Sequence, residues 1–131
     1  MITLKTGQTI TPEQLAEVFK ASTINRPTED LQRLEAMLQH SNLLVTAWDE
    51  DRLVGVARSL TDFSYCCYLS DLAVDRDYQA QGIGRKLIEK TKEEIGEKSA
   101  LILRASEEAM AYYPKIGFDH VDNCFVIPRS F

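Results

Sequence analysis

The sequence predicts an α/β fold in which helices cover the faces of a mixed sheet. Three observations lead to this prediction. Short apolar and aromatic runs typical of strands occur along most of the chain. Segments with apolar residues at helical spacing lie between them. One long apolar run leads through a glycine-containing turn directly into a helix, which is typical of layered proteins that combine helices and strands.

The first half of the chain predicts a strand, two helices and a hairpin. Thr11, Pro12 and Gln14 have the pattern of a helix N-cap, a first helical position and a capping box. Gly55, inside a strand-like run, indicates a bulge or a close approach of another element. The predicted elements are a strand at Ile2–Lys5, a helix that opens at Thr11, a helix at Glu29–Gln39, and strands at Leu43–Trp48 and Leu53–Arg58.

The second half predicts a long central strand followed by alternating helices and strands. Gly96 is placed to end the longest helix, because glycine adopts the backbone conformation that closes a helix at low cost. Ser106 is placed to cap the next helix. The predicted elements are a strand at Tyr65–Val74, a helix at Ile83–Ile95, a strand at Ala100–Ala105, a helix at Glu107–Lys115, and a hairpin of Phe118–Val121 and Cys124–Ile127.

Length and composition favour one globular domain over residues 1–131. The chain is 44% apolar and 27% charged, which is globular composition. A net charge of −5 argues against a protein that coats nucleic acid, since such proteins carry a basic excess. The apolar runs are too short for a bilayer span, and the first residues lack the layout of a signal peptide. We therefore expect a cytoplasmic protein with neither nucleic acid nor membrane as a partner.

The cysteines and histidines do not predict a metal site. Cys66 and Cys67 are adjacent, so on a strand they point to opposite faces. With Cys124 the cysteine count is odd, which is a poor disulfide framework and favours small buried apolar side chains in a reducing compartment. His40 and His120 lie far apart and match no metal-ligand spacing.

The turn between Asp75 and Gly84 predicts an anion site. Glycines allow a tight turn and a close approach to a ligand, and the following helix begins with unpaired, positively polarised N–H groups. Arg76, Arg85 and Lys86 add cationic side chains. A Walker loop is excluded because no Ser or Thr follows the lysine, and a dinucleotide loop is excluded because Leu87 stands where the third glycine is needed.

Two further motifs resemble the GNAT superfamily of N-acetyltransferases. The first is Gln79-x-x-Gly82-x-Gly84, preceded by the strand end Asp71-Leu72-Ala73-Val74. The second is Tyr113-x-x-x-Gly117-Phe118, which follows after room for one helix and one strand. The short glycine pattern alone is weakly specific. The two motifs together, with the order of elements along the whole chain, are similar to that family.

The resemblance implies a single GNAT-like domain with a mostly antiparallel, twisted sheet, helices on both faces and a splayed central pair of strands. It also implies acetyl-CoA as cosubstrate and no metal. The strand before the turn would pair with the pantetheine arm, and the turn amides from Gln81 to Arg85 would hold the pyrophosphate. The cofactor-binding residues implied are Leu72, Ala73, Val74, Gln79, Gln81, Gly82, Ile83, Gly84, Arg85 and Lys86.

The implied reaction is direct attack of a primary amine on the thioester, with Tyr113 as the general acid for the CoA thiolate. Tyr112 beside it is an alternative, although the spacing to Gly117 favours Tyr113. The general base stays open: Asp71 lies on the right strand but is preferred as a structural hydrogen-bond acceptor, and Asp62 and His120 are weaker candidates. Ser106 stands where many relatives carry Asn.

The acceptor amine lies outside these motifs. The resemblance places it against the segments Ala21–Glu29, Phe63–Tyr68 and Asn123–Ser130. Four aromatic residues either line an apolar pocket or belong to the core: Trp48, Phe63, Tyr65 and Tyr68. The alternative function is a non-catalytic CoA-binding sensor or regulatory module. A homodimer is possible by resemblance only.

Overall fold

One five-stranded sheet organises the molecule, and its strands lie side by side in the order in which they occur along the chain. The computed structural model describes residues 1–131. β1 to β4 pair antiparallel with their neighbours, and β5 pairs parallel with β4. The elements are β1 Ile2–Thr6, α1 Pro12–Ser22, α2 Leu31–His40, β2 Leu43–Asp49, β3 Arg52–Thr61, β4 Cys66–Val74, α3 Ile83–Ile95, β5 Ala100–Ile102 and α4 Tyr112–Lys115.

Helices cover both faces of this sheet, and each face has its own apolar core. On one face, Leu15 and Phe19 of α1 and Leu34 of α2 pack with Val56 and Ala73. On the other face, α3 supplies the buried residues Ile83, Leu87, Ile88 and Ile95. The predicted mixed α/β sheet with helices on both faces is therefore confirmed.

Side-chain hydrogen bonds set the first residues of α1 and α2, and a glycine ends α3. Thr11 and Gln14 form the predicted capping box at the start of α1, with both reciprocal hydrogen bonds present. α2 begins two residues after the predicted Glu29, because the Asp30 side chain accepts a hydrogen bond from the Arg33 N–H and acts as the N-cap. Gly96 ends α3 with φ of 81°.

A bulge in β4 changes which face its side chains reach. The register with β3 shifts between Arg58 and Ser59, which leaves Ser70 as the extra residue. Before it, Cys67 and Leu69 pack in the core beneath α3. After it, Ala73 packs in the core beneath α1, and Asp71 turns to that same face. The bulge therefore directs a carboxylate into the α1–α2 layer.

The pairing of β4 with β5 is short. It consists of Cys66 with Ala100, Cys67 with Leu101 and Tyr68 with Ile102. β4 continues to Val74 without a neighbour on this side, while β5 ends at Ile102. The central strands therefore separate after Tyr68 and Ile102, which confirms the splayed pair. We call the opening between them the split.

The last predicted hairpin is wrong. The chain forms no strand at Phe118–Val121 or at Cys124–Ile127. Polar residues interrupt the alternation in the first of these segments, and Phe125 and Ile127 in the second are more than nine-tenths exposed. A hairpin without a sheet to cover one face is marginal in water, and no strand of the sheet pairs with these residues.

Two other predictions need smaller corrections. The strand predicted at Ala100–Ala105 ends at Ile102, because the pairing with β4 stops there. The helix predicted at Glu107–Lys115 is a 3-10 turn at Glu107–Ala109 followed by α4, and the Ser106 side chain caps neither. No helix has both the length and the apolar character that crossing a membrane requires.

Gly55 is a point of close approach between the sheet and α3. An added Cβ would lie 3.1 Å from Leu87 Cδ1. We expect Gly55→Ala to lower the free energy of unfolding by about 1–3 kcal/mol through overpacking, and Leu87→Ala to lower it by about 2–5 kcal/mol. The double variant should lose less than the sum, because the shortened side chain makes room for the new methyl group. Urea unfolding measures all three, and strict additivity would contradict this contact.

Candidate functional site

The edge of β4 that faces the split carries free backbone groups. The Asp75 N–H donates to the Val54 carbonyl at 2.8 Å, so Asp75 and Ala73 direct their backbone groups toward β3. Backbone groups alternate along a strand, so those of Leu72 and Val74 point into the split. The Val74 carbonyl accepts a hydrogen bond from Gln79 Nε2 at 2.9 Å. The remaining groups of Leu72 and Val74 have no strand to pair with.

The turn after β4 is tied to the β2–β3 hairpin. Buried Asp75 accepts the Asp77 N–H at 2.9 Å through one oxygen and binds Arg52 at 2.8 Å through the other. The Tyr78 hydroxyl donates to Asp49 at 2.5 Å, and this hydrogen bond, with burial, raises the pKa of Tyr78. These contacts fix the direction in which the chain leaves the sheet toward α3.

The N-terminus of α3 opens beside the same edge of β4. Ala80 and Gly82 adopt φ of 65° and 80°, which glycine tolerates and alanine rarely adopts. Gly82 is the N-cap and provides no side-chain cap, so the N–H groups of Ile83, Gly84 and Arg85 keep no helical partner. A Cβ added at Gly84 would lie 3.8 Å from Val74 Cγ2, which places this helix end against the split.

The predicted cofactor-binding residues differ in whether their backbone groups are free to face the split. Where the split reaches α3, Gln79 is hydrogen-bonded to Val74 and Gly84 lies beside Val74. Leu72 lies two residues earlier on the same edge of β4, and the residues Gln81–Arg85 form the turn and first helical turn around Gly84. Ala73 directs its backbone toward β3 and its side chain into the α1 core. The Lys86 N–H is used within α3 by the Gly82 carbonyl. Ala73 and Lys86 therefore present no free backbone group to the split.

Tyr113 lies on α4 in a mostly apolar setting. Its ring makes edge-to-face contacts with Tyr112 and Phe118, each at 5.3 Å between centroids. Burial raises the pKa of Tyr113, and the neighbouring Tyr112 raises it further. The Tyr112 hydroxyl lies 3.7 Å from the position of a Cβ at Gly84, next to the α3 N-terminus. The two tyrosines therefore occupy different places, and Tyr112, the alternative that the sequence left beside Tyr113, is the one whose hydroxyl lies next to Gly84.

Asp71 is fully buried and doubly paired. One of its oxygens binds Arg26 Nε and the other binds Arg58 Nε, each at 2.5 Å. Arg26 also donates to the Ser70 carbonyl, and Arg58 to the Ser70 hydroxyl. This geometry agrees with Asp71 as a structural acceptor. Sequence reasoning missed both arginines, because they lie 45 and 13 residues from Asp71 and no local pattern joins them.

The weaker candidates for the base lie elsewhere. Asp62 sits in the β3–β4 loop, where one carboxylate oxygen accepts three backbone N–H groups, and these hydrogen bonds lower its pKa. Such a carboxylate is a poorer base than a free one. His120 is exposed in the C-terminal segment. The structure contains no group of three His, Cys, Asp or Glu side chains arranged to hold a metal ion.

The cysteine and aromatic expectations are corrected in part. Only Cys67 is buried, whereas Cys66 and Cys124 are exposed free thiols. Trp48 belongs to the core, with its indole N–H donating to Thr46 at 2.7 Å. Phe63, Tyr65 and Tyr68 are 47%, 79% and 40% exposed. These three lie at the end of the sheet where β4 and β5 are still paired.

The family follows from a comparison with known domains. Residues 6–126 match the family described as acetyltransferase (GNAT) domain. The chain belongs to the GNAT family. The match includes β4, the split, the α3 N-terminus and α4, which are the elements that the two motifs join.

Relatives of known name support the same GNAT assignment at low identity. The chain is 27% identical over 116 residues to the uncharacterized N-acetyltransferase ycf52 of Porphyra purpurea, covering 81% of this chain and 65% of that protein. It is 27% identical over 106 residues to the histone acetyltransferase TAP1 of Glycine max, covering 71% of this chain and 46% of that protein. The chain thus spans about half to two thirds of the length of these relatives.

Solved structures show the same fold. A probable acetyltransferase of unknown function from meticillin-resistant Staphylococcus aureus superposes with a TM-score of 0.86 at 23% identity, over 100% of both chains. A GNAT-family acetyltransferase from Streptococcus pneumoniae has a TM-score of 0.76 at 26% identity, over 98% of this chain and 99% of that one. The GNAT architecture therefore extends over the whole chain.

The Arg26–Asp71–Arg58 cluster should be a main source of stability near the GNAT split. Removing the shared carboxylate with Asp71→Ala leaves buried Arg58 without its counter-charge, and we expect a loss of about 3–5 kcal/mol. Arg26→Ala should cost clearly less, because the Arg26 side chain is 26% exposed and water solvates the vacated site. Urea unfolding of the two variants tests this order, and equal losses would contradict it.

Proposed function

We propose that this protein is an acetyl-CoA-dependent N-acetyltransferase that moves an acetyl group to a primary amine by direct attack on the thioester. The observation that carries the proposal is the continuity of two open features. The unpaired backbone of Leu72 and Val74 leads along the split to the uncapped N-terminus of α3. One extended ligand with an amide-bearing arm and a phosphate end suits both.

The residues of the split suit the chemistry of acetyl-CoA. A strand edge that lacks its neighbour pairs with an amide chain as an added strand would. A helix N-terminus with free N–H groups binds phosphate. Leu72 and Val74 would take the first role, with Gln79 bracing the Val74 carbonyl. Gln81, Gly82, Ile83, Gly84 and Arg85 would take the second, with Lys86 as a nearby cation.

Backbone N–H groups of β4 and the Tyr113 hydroxyl would then assist the reaction, by stabilising charge and by supplying a proton. When bound, acetyl-CoA supplies an activated acetyl thioester. An N–H of Leu72 or Val74 is placed to stabilise negative charge that develops on a carbonyl oxygen in the split. Because the pKa of Tyr113 is raised, its hydroxyl stays protonated at neutral pH. As general acid, Tyr113 donates this proton to the departing sulfur.

No carboxylate is proposed as the direct base. Both carboxylate oxygens of Asp71 form ion pairs with arginines, and the carboxylate of Asp62 accepts hydrogen bonds from three backbone N–H groups. The amine therefore loses its proton to water or binds already neutral. That requirement favours activity that rises with pH as the acceptor amine deprotonates.

The first prediction of this proposal is cofactor binding at the turn. Acetyl-CoA at about 100 times its Kd should stabilise the fold by about 2.7 kcal/mol, which raises Tm by several degrees. Gly84→Val should abolish the shift, because the new side chain enters the space beside Val74 and blocks the helix end. Thermal unfolding with and without acetyl-CoA measures both.

Gly84→Ala is the matched control for that experiment. A single methyl group at this position meets its nearest neighbours at ordinary contact distances of 3.7 and 3.8 Å, so this variant should fold normally. We expect it to keep part of the shift. If the wild-type protein shows no shift at millimolar acetyl-CoA, the turn is a structural turn only and the proposal fails.

The second prediction concerns Tyr113. Tyr113→Phe should keep the affinity for acetyl-CoA and lower turnover by about 10²–10⁴, as expected for loss of a general acid. Tyr112→Phe removes the hydroxyl that lies next to the α3 N-terminus, so it should change cofactor affinity more than turnover. Steady-state rates of CoA release and direct binding of acetyl-CoA separate the two effects. Unchanged turnover in Tyr113→Phe would remove it from this role.

The third prediction is the alkaline limb of the rate profile. The protonated form of Tyr113 is the acid, and its pKa lies above the ordinary 10. After its rise with deprotonation of the acceptor amine, turnover at saturating substrates should therefore show no decline up to about pH 10 and should fall only above it. The residual turnover of Tyr113→Phe should show no such fall. A decline in the wild-type profile that sets in near pH 8 would contradict this assignment.

A non-catalytic CoA-binding module is the second candidate. The absence of a free carboxylate base near Asp71 favours it. It predicts the same thermal shift with acetyl-CoA but no CoA release with any amine. Turnover by the isolated chain excludes it.

A further inference from the structure

We propose that the acceptor is an amine that also carries a carboxylate, as an amino acid does, and that Arg104 and Arg129 bind this carboxylate. The inference rests on the proposed function, because it names the substrate class of the same site. It comes from a cavity that the motifs do not include. We call it the tail cavity.

The tail cavity is an open cleft between the end of β5 and the C-terminal segment, and its lining residues Ile127 and Phe131 are more than nine-tenths exposed. Its volume is about 320 Å³. Three of its lining residues are apolar and two are arginines, and none is acidic. The lining residues are Arg104, Val126, Ile127, Pro128, Arg129 and Phe131.

The charge of the tail cavity is unusual for this protein. The chain has a net charge of −5, and its ion pairs engage Arg26, Arg52, Arg58 and Arg85. No acidic side chain forms an ion pair with Arg104 or Arg129. Two guanidinium groups that no acidic side chain neutralises contribute positive charge at one place in an acidic molecule. A planar carboxylate matches the donor geometry of guanidinium.

The tail cavity borders the split. Arg104 follows two residues after Ile102, which forms the last pair with Tyr68 before the strands separate. Exposure alternates from Ala100 to Arg104, so Arg104 lies on the same face as Ile102, while Leu101 and Leu103 pack toward α3. At about 3.3 Å per residue, its Cα lies about 7 Å beyond that last pair.

The far end of the cavity is fixed on the α2 side. Arg33 of α2 donates to the Phe131 carbonyl oxygen at 3.0 Å, which holds the end of the C-terminal segment near that helix. The cavity therefore opens on the face that carries α1 and α2. The α3 N-terminus, where the phosphates are proposed to bind, belongs to the opposite layer. Acceptor and donor would meet in the split from two sides.

An exposed apolar row adds a second element of recognition. Leu60, Tyr68 and Ile102 are directly paired across β3, β4 and β5, and each is 40–49% exposed. This row ends at the point where the strands separate. It suits an apolar acceptor body, with the carboxylate held by Arg104 and Arg129 and the amine directed into the split.

The test uses matched pairs of acceptors that differ only by the carboxylate. These are L-phenylalanine with phenethylamine and L-leucine with isopentylamine. For each compound, kcat/KM is measured by CoA release at saturating acetyl-CoA, and binding to the CoA-loaded protein is measured by calorimetry. The proteins are wild type, Arg104→Gln, Arg129→Gln and the control Lys98→Gln, which removes an exposed charge at the opposite end of β5.

We expect wild type to prefer the amino acid in both pairs, and each arginine variant to lose about tenfold in kcat/KM for the amino acid. The decarboxylated amines should change less than about threefold in the same variants, and Lys98→Gln should match wild type. An amino acid-to-amine ratio that is the same in wild type and both arginine variants overturns the inference while leaving the acetyltransferase proposal intact.

Calorimetry separates the two proposals if no amine is acetylated. Arginine-dependent binding of L-phenylalanine or L-leucine without turnover supports the carboxylate site, overturns these amino acids as acceptors and favours the non-catalytic module. Failure of both amino acids to bind, or binding that the arginine variants leave unchanged, overturns the carboxylate site.

Discussion

The backbone pairing between β4 and β5 stops after three residue pairs, and the candidate site depends on this limit. In an ordinary sheet the N–H and C=O groups of Leu72 and Val74 would be consumed by the next strand. Here β5 diverges at Ile102, while β4 continues to the turn that begins α3. The split therefore leaves hydrogen-bonding groups free inside a folded domain, in line with a helix N-terminus.

A single extra residue in β4 explains why the split is well supported on its α1–α2 side. The Ser70 bulge rotates Asp71 out of the α3 core and into the layer that Arg26 and Arg58 reach. Arg26 comes from the loop between α1 and α2, so its ion pair holds that loop against the strand. Loss of the shared carboxylate would leave buried Arg58 without a counter-charge, which is strongly destabilising. The same ion pairs therefore stabilise the fold and hold β4 in position at the split.

The two sides of the split differ in their chemistry. On the α3 side lie free N–H groups, small residues and the two tyrosines of α4, a setting that suits an anionic ligand and keeps Tyr113 protonated. On the α1–α2 side lie an exposed apolar row and two arginines without an ion pair, Arg104 after β5 and Arg129 in the C-terminal segment. In the proposed reaction, this division would place donor and acceptor on different sides of the split and let them meet where the strands part.

Local propensity and short spacing were enough to predict the order of the main elements from β1 to α4, the capping box of α1, the Gly96 stop and the turn from Gln79 to Gly84. It also indicated the family through the joined motifs. It failed for the C-terminal hairpin, where apolar content predicted strands at Phe118–Val121 and Cys124–Ile127 that no neighbouring strand pairs with.

Only the folded structure fixes the Ser70 bulge, the arginine partners of Asp71, the distinct places of Tyr112 and Tyr113, and the position of Arg104 and Arg129 at one cavity. Each joins residues through packing or pairing between separate elements. Such contacts leave no periodic pattern in the chain, because the free energy that selects them arises only after the sheet and helices have come together.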